Sequence, residues 1–335
     1  MILFLFLLIS MLISCSEPFN NNGDLLPDLK PPELNKIELT DNRTLTLDFS
    51  EPVSFDDSTF FSEPDLSLES WDSAGNRLTI HFSDEQIPGK MYKCRSDVLD
   101  EKGNRLSFLI RFYGWNQNLP DMIINEFNPE GSGNNPDTVE LYVAGEGNTA
   151  GAALFLGTSK HFTSYFVLPS LEVSPGDFII VHLRPEGLPE EINESGSKSV
   201  SGGKLASDLA WDIWADEDMP LSGSNGLISL YTNPFGSIID AVPYSNRVTA
   251  DSEEYRGWTA ATFDMIEELS FLEVWNGTDG FIRPEDAVYS EGTTGTRSIC
   301  RDSVSTDSDM RTDWHIVPTG EKSFGEVNSD NVYAP

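Results

Sequence analysis

Short apolar runs separated by turn residues are the feature that most limits what this chain can fold into. Stretches such as TLTLDF, RLTIHF, VELYV, FIIVHL and GLISLY alternate apolar and polar residues or are apolar throughout, and Gly, Asn, Asp or Pro lie between them. Alternation with a period of two is typical of β-strands, and short strands without a helical period favour a sandwich. The sequence therefore predicts an all-β protein.

The composition limits the partners of such a protein. With 39% hydrophobic and 11% aromatic residues, a chain of 335 residues can fill the cores of about two or three domains. It carries 55 acidic but only 21 basic residues, which gives a net charge of -34. This charge argues against nucleic acid as a partner, and it would also repel anionic lipid headgroups. Any attachment to a membrane should therefore be covalent or hydrophobic.

The N-terminus offers a covalent attachment. Its apolar run, residues 2–13, would form a helix of about 18 Å, too short for a hydrocarbon core of about 30 Å, but its length fits a signal peptide. The run ends in Leu-Ile-Ser-Cys15, which resembles the lipobox of bacterial lipoproteins. This resemblance implies a signal peptide at 1–14 and a lipid on Cys15. The alternative is an ordinary secretory signal in which the cysteine is incidental.

The lipoprotein resemblance also implies where the protein is found. Residues 15–35 are polar and contain four prolines, as expected of a flexible tether between a lipid and a folded unit. The expected location is the cell envelope, and Ser16 after the cysteine implies the outer membrane if the organism has one.

The first predicted folded unit spans residues 36–116. The run DNRTL, the strand end FSEPV and the polar turn at 97–104 resemble bacterial Ig-like domains. That resemblance implies a β-sandwich that acts as a spacer or adhesive unit.

The second predicted unit spans residues 121–328, after a polar break. Its strands and tight turns, followed by the Arg-Ser-x-x-Arg run that begins at Arg297 and an Asp-Trp pair, resemble a lamin tail domain, with an insertion at about 184–225. The resemblance implies a second Ig-like sandwich with a binding or structural role. The predicted architecture is thus a pair of tandem Ig-like β-sandwiches behind a lipoprotein signal peptide and tether.

Two glutamates, Glu126 in IINEF and Glu140 in VELYV, are the strongest candidates for chemistry. Alternation in VELYV places Glu140 on the polar face, outside the core, whereas the apolar pattern of IINEF leaves the face of Glu126 undecided. If the two strands form a hairpin, the carboxylates can lie about 5 Å apart, the separation found in retaining glycosidases. Three interpretations follow: a scaffold pair neutralised by the protein, for example by Arg297 or Arg301, a cation site, or a catalytic pair.

A second acidic group near the C-terminus is a weak candidate for calcium. Asp302, Asp307, Asp309 and Asp313 crowd one loop, and calcium prefers several oxygen ligands from such loops. The loop lacks the turn glycine and closing glutamate of an EF-hand, and Glu126 and Glu140 are equally weak calcium candidates. No other cofactor is expected.

Two further patterns indicate no catalysis. Ser195 and Lys198 have the spacing of a Ser-x-x-Lys nucleophile, as do Ser201 and Lys204, but both pairs fall in a Gly/Ser-rich loop rather than on the helix that this chemistry needs. The four histidines are scattered, and none has a second histidine at metal-ligand spacing, so zinc is not expected.

The sequence thus favours a lipid-anchored exported or surface protein that is not an enzyme. Its expected partners are the membrane, through the lipid, and an extracellular or envelope protein or a glycan. The alternatives are a surface hydrolase that uses Glu126 and Glu140, and a calcium-dependent binding module.

Overall fold

The computed structural model describes residues 28–247 and 253–335. The predicted signal peptide, Cys15 and most of the predicted tether lie outside this part of the chain. Within it, strands predominate beside a single α-helix, so the predicted all-β class is confirmed. No helix in the two described ranges is long and apolar enough to cross a bilayer.

The first unit consists of two antiparallel sheets packed face to face. Its strands are β1 (Leu34–Asp41), β2 (Thr44–Phe49), β3 (Val53–Glu63), β4 (Leu68–Ala74), β5 (Arg77–Phe82), β6 (Met91–Asp100) and β7 (Arg105–Tyr113). The sheet orders are β1-β2-β5-β4 and β3-β6-β7. In β6 every second residue is buried, as the period of two requires, and Tyr92, Cys94 and Val98 join Leu45 and Leu47 of β2 in one core.

The second unit has two larger sheets. Its strands are β8 (Met122–Asn128), β9 (Thr138–Val143), β10 (Gly147–Asn148), β11 (Ala153–Gly157), β12 (Phe162–Val167), β13 (Glu172–Val173), β14 (Phe178–His182), β15 (Trp211–Trp214), β16 (Asn225–Tyr231), β17 (Ile238–Ser245), β18 (Val288–Tyr289), β19 (Ile299–Cys300) and β20 (His315–Ile316). One sheet has the order β12-β11-β16-β17-β18, the other β15-β14-β9-β8-β19-β20, and β10 pairs with β13.

The core of this unit is separate from that of the first. Ile124, Leu141 and Ile179 from the six-stranded sheet and Leu154 and Leu230 from the five-stranded sheet are completely buried members of a single apolar cluster. Because both sheets contribute alternate residues to this cluster, the outward-facing residues of each strand remain available for other contacts.

The α-helix α1 (Ala260–Leu272) was not predicted from the sequence. It follows the extended residue Thr259 and ends at Glu273, which has a left-handed conformation (φ 56°). The helix buries Thr262, Ile266 and Leu269, which share one face at spacings of four and three residues. Its weak amphipathicity, with the apolar Phe271 80% exposed, explains why the sequence pattern does not mark it clearly.

Part of the predicted insertion is built into a sheet. Strand β15 lies within residues 184–225 and pairs in parallel with β14, as the outermost strand of the six-stranded sheet. Directly beside it, the buried ring of His182 bonds to Asp212 (Nε2 to Oδ1, 2.7 Å) and stacks on Trp214 with ring centroids 3.9 Å apart. These contacts of His182 tie β14 to β15.

The two units touch where the chain passes from one to the other. Asn116 donates through Nδ2 to the carbonyls of Asn148 (2.7 Å) and Ala150 (2.9 Å), and the rings of Tyr113 and Phe235 pack with centroids 5.7 Å apart. The polar break between the units is therefore held against the second unit. The exact domain limits stay a prediction.

Candidate functional site

Glu126 of β8 and Glu140 of β9 are direct partners in the antiparallel ladder, and both are completely buried. The register shifts between Ile124 and Glu126, so Asn125 forms a β-bulge. Because the extra residue reverses the alternation after it, Ile124 and Phe127 both enter the core while Glu126 turns to the other face, beside Glu140. The bulge therefore decides the face of Glu126, which the sequence pattern left open.

The sequence predicts that Glu140 lies outside the core, but in the structure Glu140 is completely buried. Glu140 does point away from the face that carries Leu141, but the segment Lys322–Asn328, called here the C-terminal strap, covers the outer face of the sheet. Phe324 of the strap packs on an apolar cluster of that face that contains Phe178. Since this cover comes from a segment 185 residues further along the chain, strand alternation alone could not reveal it.

The Glu126 carboxylate receives its hydrogen bonds from two serines. Ser298 donates through Oγ to Oε1 (2.5 Å), and Ser323 of the strap donates through Oγ to Oε2 (2.7 Å). The backbone N–H of Ser323 also lies 3.1 and 3.2 Å from the two carboxylate oxygens. Both oxygens therefore have partners without any contribution from solvent.

Glu140 is held by a side-chain amide and a backbone amide. Asn125, the bulge residue, donates through Nδ2 to Oε1 (2.9 Å), and the N–H of Gly325 in the strap donates to Oε2 (2.5 Å). Asn328 ties the strap to the bulge, because its Nδ2 donates to Asn125 Oδ1 (3.1 Å). The bulge and the strap thus form one hydrogen-bonded network around the pair.

Burial and mutual repulsion shift the titration of both acids. Burial raises the pKa of the Glu126 carboxyl, although its serine partners lower it. The pKa of Glu140 is raised well above its ordinary value by burial first and by the charge of Glu126 second. The pair therefore keeps a proton to a higher pH than free glutamates do, which relieves the like-charge contact.

Neither arginine considered from the sequence neutralises this pair. The guanidinium of Arg297 lies over the ring of Tyr333, 4.1 Å from its centroid, and Arg301 bonds to other groups. The positive charge of Lys322 in the strap lowers the pKa of Glu126. Among the described residues, hydrogen-bond donors rather than an ion pair thus hold the two carboxyls.

The arrangement does not match what glycoside hydrolysis needs. A glycosidase pair must face a cleft in which a sugar reaches both acids, whereas Glu126 and Glu140 have no exposed surface and all their described partners are protein donors. Substrate could reach them only if the strap were displaced. The pair is thus enclosed by Ser298 and the strap.

Arg301 is the centre of a second buried network. Its guanidinium is completely buried and donates to the carbonyls of Ile124 (2.8 Å) and Thr306 (2.9 Å) and to Asp307 Oδ1 (2.9 Å). It also lies 3.4 Å from Asp240 Oδ2. A planar, permanently charged group with five donors suits such a crowded set of acceptors.

Only two of the four aspartates proposed for calcium belong to one acidic group in the structure. Asp307 and Asp309 come together with Asp240, and one oxygen of each lies within 4.8 Å of the others. Asp302 instead accepts bonds from the backbone and side chain of Thr306, and Asp313 accepts both from Ser308. The loop therefore brings together only part of the predicted ligand set.

The guanidinium of Arg301 supplies positive charge beside Asp240 and Asp307. Burial raises the pKa of Asp240 to about 6, and Arg301 limits that rise. A third acidic group, Asp28, Glu51 and Asp100, also has oxygens within 4.8 Å of one another. Asp240 is distant in sequence from Asp307 and Asp309, and Asp28, Glu51 and Asp100 are distant from one another, so local spacing predicts neither complete group.

The lysines of the two Ser-x-x-Lys patterns form ion pairs with carboxylates. Lys198 donates to Asp177 Oδ1 (2.7 Å), and Lys204 donates to Glu186 Oε1 (2.5 Å). Both lysines are thus engaged in ion pairs.

Sequence reasoning missed most partners of the carboxylate pair. Asn125, Ser298, Ser323, Gly325 and Asn328 are common residue types in polar loops, and nothing in their spacing singles them out. The one local signal was the run IINEF itself, in which apolar residues on both faces are compatible with a bulge.

Comparisons with known proteins found one relative by sequence. A protein from Treponema pallidum (strain Nichols), described as an uncharacterized protein, is 26% identical over 187 residues, which are 55% of this chain and 47% of the relative. The chain thus spans about half the length of that relative.

Two solved structures show a weaker likeness. The N-terminal part of the bacterial S-layer protein SbsC has 14% identity and a TM-score of 0.24, over 64% of this chain and 44% of that one. Dimeric latent PorU from Porphyromonas gingivalis has 10% identity and a TM-score of 0.18, over 64% of this chain and 20% of that one. At these TM-scores the likeness does not establish a shared fold.

The family match covers the carboxylate pair and most of the strands around it. The family described as "protein second domain" matches residues 120–316, which is more than half of the chain. The match begins just before β8 and ends with β20. The chain therefore belongs to the family described as "protein second domain".

Proposed function

We propose that this protein is a non-catalytic structural or binding component of the cell envelope, attached to a membrane by a lipid on Cys15. The apolar run at 2–13 and the Leu-Ile-Ser-Cys15 sequence support the anchor. Ser16 after the cysteine favours the outer membrane where one exists. A diacylglyceryl group with a further acyl chain buries enough methylenes, at about 0.8 kcal/mol each, to hold a protein stably on a bilayer.

The complete burial of Glu126 and Glu140 is the main observation that supports a non-catalytic role. This acidic pair is the one that the sequence marks as a candidate for hydrolysis, yet the strap and Ser298 occupy the positions from which a substrate would approach. A catalytic pair would need exposure and one acid free to act on a substrate. A scaffold pair needs only the protein donors that surround it.

The two-unit architecture supports a role in spacing or binding. A first unit of two packed sheets is compatible with the resemblance to bacterial Ig-like domains, and a second sandwich is compatible with the resemblance to lamin tail domains. In this proposal the tether and first unit place the second unit away from the bilayer. The net charge of -34 makes nucleic acid an improbable partner and leaves an envelope protein or a glycan as the binding partner.

Two experiments test this proposal. The full-length protein, incubated with chromogenic glycosides and purified envelope glycan, should release no more product than the double variant Glu126→Gln/Glu140→Gln. Turnover by the wild type that both single variants lose would establish a hydrolase instead.

The anchor is tested by membrane fractionation. Cys15→Ala should move the protein into the soluble fraction after a high-salt wash, while Ser10→Ala, a small change in the same apolar run, should leave it on the membrane. A Cys15→Ala protein that still sediments with membranes would show that the cysteine is not the anchor.

A further inference from the structure

Strand β12 forms an edge of the five-stranded sheet that no described strand covers. It pairs with β11 and is the last strand in the sheet order. The N–H of Leu168 donates to the carbonyl of Ala152 (2.7 Å), at the end of this pairing. Alternation in an antiparallel ladder therefore directs the backbone groups of Phe166 and Ser164 towards β11, and those of Tyr165 and Val167 away from it.

Strand β12 lacks the charged residues that discourage strand addition at the other described edge strands. Natural sheets discourage the addition of foreign strands by placing charged residues or proline on edge strands. Among the described residues, every other edge strand longer than two residues carries at least one charged side chain, whereas β12 has the sequence FTSYFV. A register shift at Gly157 disturbs only its first residues. The remaining part of β12 is open to pairing.

A groove with an acidic wall runs along this open edge. The groove has a volume of about 470 Å³ and lies between β12 and the segment from Asp216 to Met219. Asp216, Glu217 and Asp218 are exposed, and Asp218 pairs with Arg184 (2.9 Å). No described residue forms an ion pair with Asp216 or Glu217. The groove therefore presents uncompensated negative charge beside unpaired backbone groups.

Strand β12 also carries two exposed aromatic rings. Phe162 and Tyr165 are 42% and 43% exposed, and their ring centroids lie 5.4 Å apart. Tyr165 also stacks on the buried ring of Phe155, with centroids 5.1 Å apart, which fixes its position. Rings held in this way can pack against alkyl chains and, face-on, against Lys or Arg.

From these features we infer that β12 is the docking strand for an extended segment of a partner protein that carries Lys or Arg. The segment adds to the sheet by bonding to the outward backbone groups of Tyr165 and Val167, and its basic side chains meet Asp216 and Glu217. A second copy of this chain fits poorly, because its net charge of -34 and its own acidic wall would be repelled.

This inference rests on the non-catalytic binding role proposed above and specifies the class of partner. The two can fail separately. Glycoside turnover would overturn the non-catalytic role without affecting peptide binding, and a lack of peptide binding would overturn this docking site while the carboxylate pair remained sealed.

The test uses the full-length protein in detergent and three short synthetic peptides, followed by fluorescence anisotropy. The first peptide alternates Lys and Val, the second replaces Lys with Glu, and the third keeps Lys but is N-methylated on the backbone. The Lys peptide should bind, and the other two should bind at least about tenfold more weakly, because one lacks the charge and one lacks backbone donors. The N-methylated peptide needs no change to the protein, so misfolding cannot explain its result.

Matched protein variants locate the site. Asp216→Asn/Glu217→Gln should weaken binding of the Lys peptide by about tenfold. Glu69→Gln/Asp72→Asn, which removes two exposed charges from β4 of the first unit, should leave binding unchanged. Val167→Pro removes one outward donor and should also weaken binding, and hydrogen exchange at Tyr165 and Val167 should slow when the peptide binds.

Four results would overturn the inference. Equal binding of the methylated and unmodified Lys peptides would show attraction by charge alone, and an equal loss in the β4 control variant would show that the wall is not the site. Failure of every peptide to bind would show that β12 is not a docking strand. Self-association that Val167→Pro abolishes, measured by sedimentation, would show that β12 pairs with a second copy.

Discussion

Glu126 and Glu140 face each other across the β8–β9 ladder, and the strap that buries them bonds to both, through Ser323 to Glu126 and through Gly325 to Glu140. Two acids of like charge are thus enclosed by the same short segment. Closing the strap excludes water from the pair, and excluding water favours the protonated form of each acid. The position of the strap and the protonation of the pair are therefore linked.

This linkage predicts a pH dependence of stability. Because the folded pKa of both acids is raised, the folded protein binds more protons than the unfolded chain at pH values above about 4.5, the ordinary value. The free energy of unfolding should therefore fall as pH rises from there towards the folded pKa, by at most about 1.4 kcal/mol per pH unit for each acid. Urea unfolding between about pH 4.5 and 8 measures this slope.

The variant Glu140→Gln isolates the contribution of the pair. It cannot ionise at position 140, so its stability should fall less steeply with pH than that of the wild type. Glu69→Gln changes an exposed glutamate of β4 and should keep the wild-type slope. Parallel pH curves for the wild type and Glu140→Gln would contradict a raised pKa at Glu140.

A second prediction concerns the fit of the strap. Gly325 has a φ of 87°, and a Cβ built there would lie 2.6 Å from Ser207 Oγ and 3.2 Å from Ala210 Cβ. Gly320 has a nearly identical φ of 86° but open space around its Cβ position. Both alanine variants carry the same backbone cost, so Gly325→Ala should be less stable than Gly320→Ala by about 1 to 3 kcal/mol of crowding.

Hydrogen exchange shows where this destabilisation acts. The amides of the strap, including that of Gly325, should exchange faster in Gly325→Ala than in Gly320→Ala. Equal stability and equal exchange in the two variants would indicate that the strap is not closely packed on the sheet.

Arg301 yields a third prediction. Replacing it with Met leaves Asp240 buried without its cation, which should lower the free energy of unfolding by about 3 to 5 kcal/mol. The loss should be smaller at pH 5 than at pH 8, because Asp240 already has a pKa of about 6 and becomes neutral more readily once Arg301 is absent.

A double variant checks the cause of this loss. Adding Asp240→Asn to Arg301→Met removes the unpaired charge and should recover part of the stability, so the two substitutions should not be additive. Additive losses with no pH dependence would mean that packing, including the contact of Arg301 with the Trp314 ring 4.5 Å away, outweighs charge at this site.

The strands were predictable from the sequence because their information is local. VELYV and the alternating runs of the first unit have the period of two that a half-buried strand needs, and the register that aligns Glu126 with Glu140 follows once the hairpin forms. Helix α1 was not predictable in this way, since only Thr262, Ile266 and Leu269 mark its buried face.

The enclosure of the site depends on contacts that are distant in sequence. The bonds from Ser323 to Glu126 and from Gly325 to Glu140 join residues 197 and 185 positions apart. Serine and glycine carry no pattern that would identify them as partners of a buried acid. The polar face of a strand can be predicted from alternation, but whether another segment covers that face cannot.

The claim that protein donors, rather than a metal ion, stabilise the carboxylate pair is tested most directly by thermal melting with calcium and with a chelator. The wild type, Glu126→Gln and Glu140→Gln should each melt at the same temperature in both conditions, because a ligand that binds only the folded state is what would raise Tm. A wild-type Tm that rises by several degrees with calcium, with the rise abolished in both variants, would contradict this account and establish the pair as a cation site.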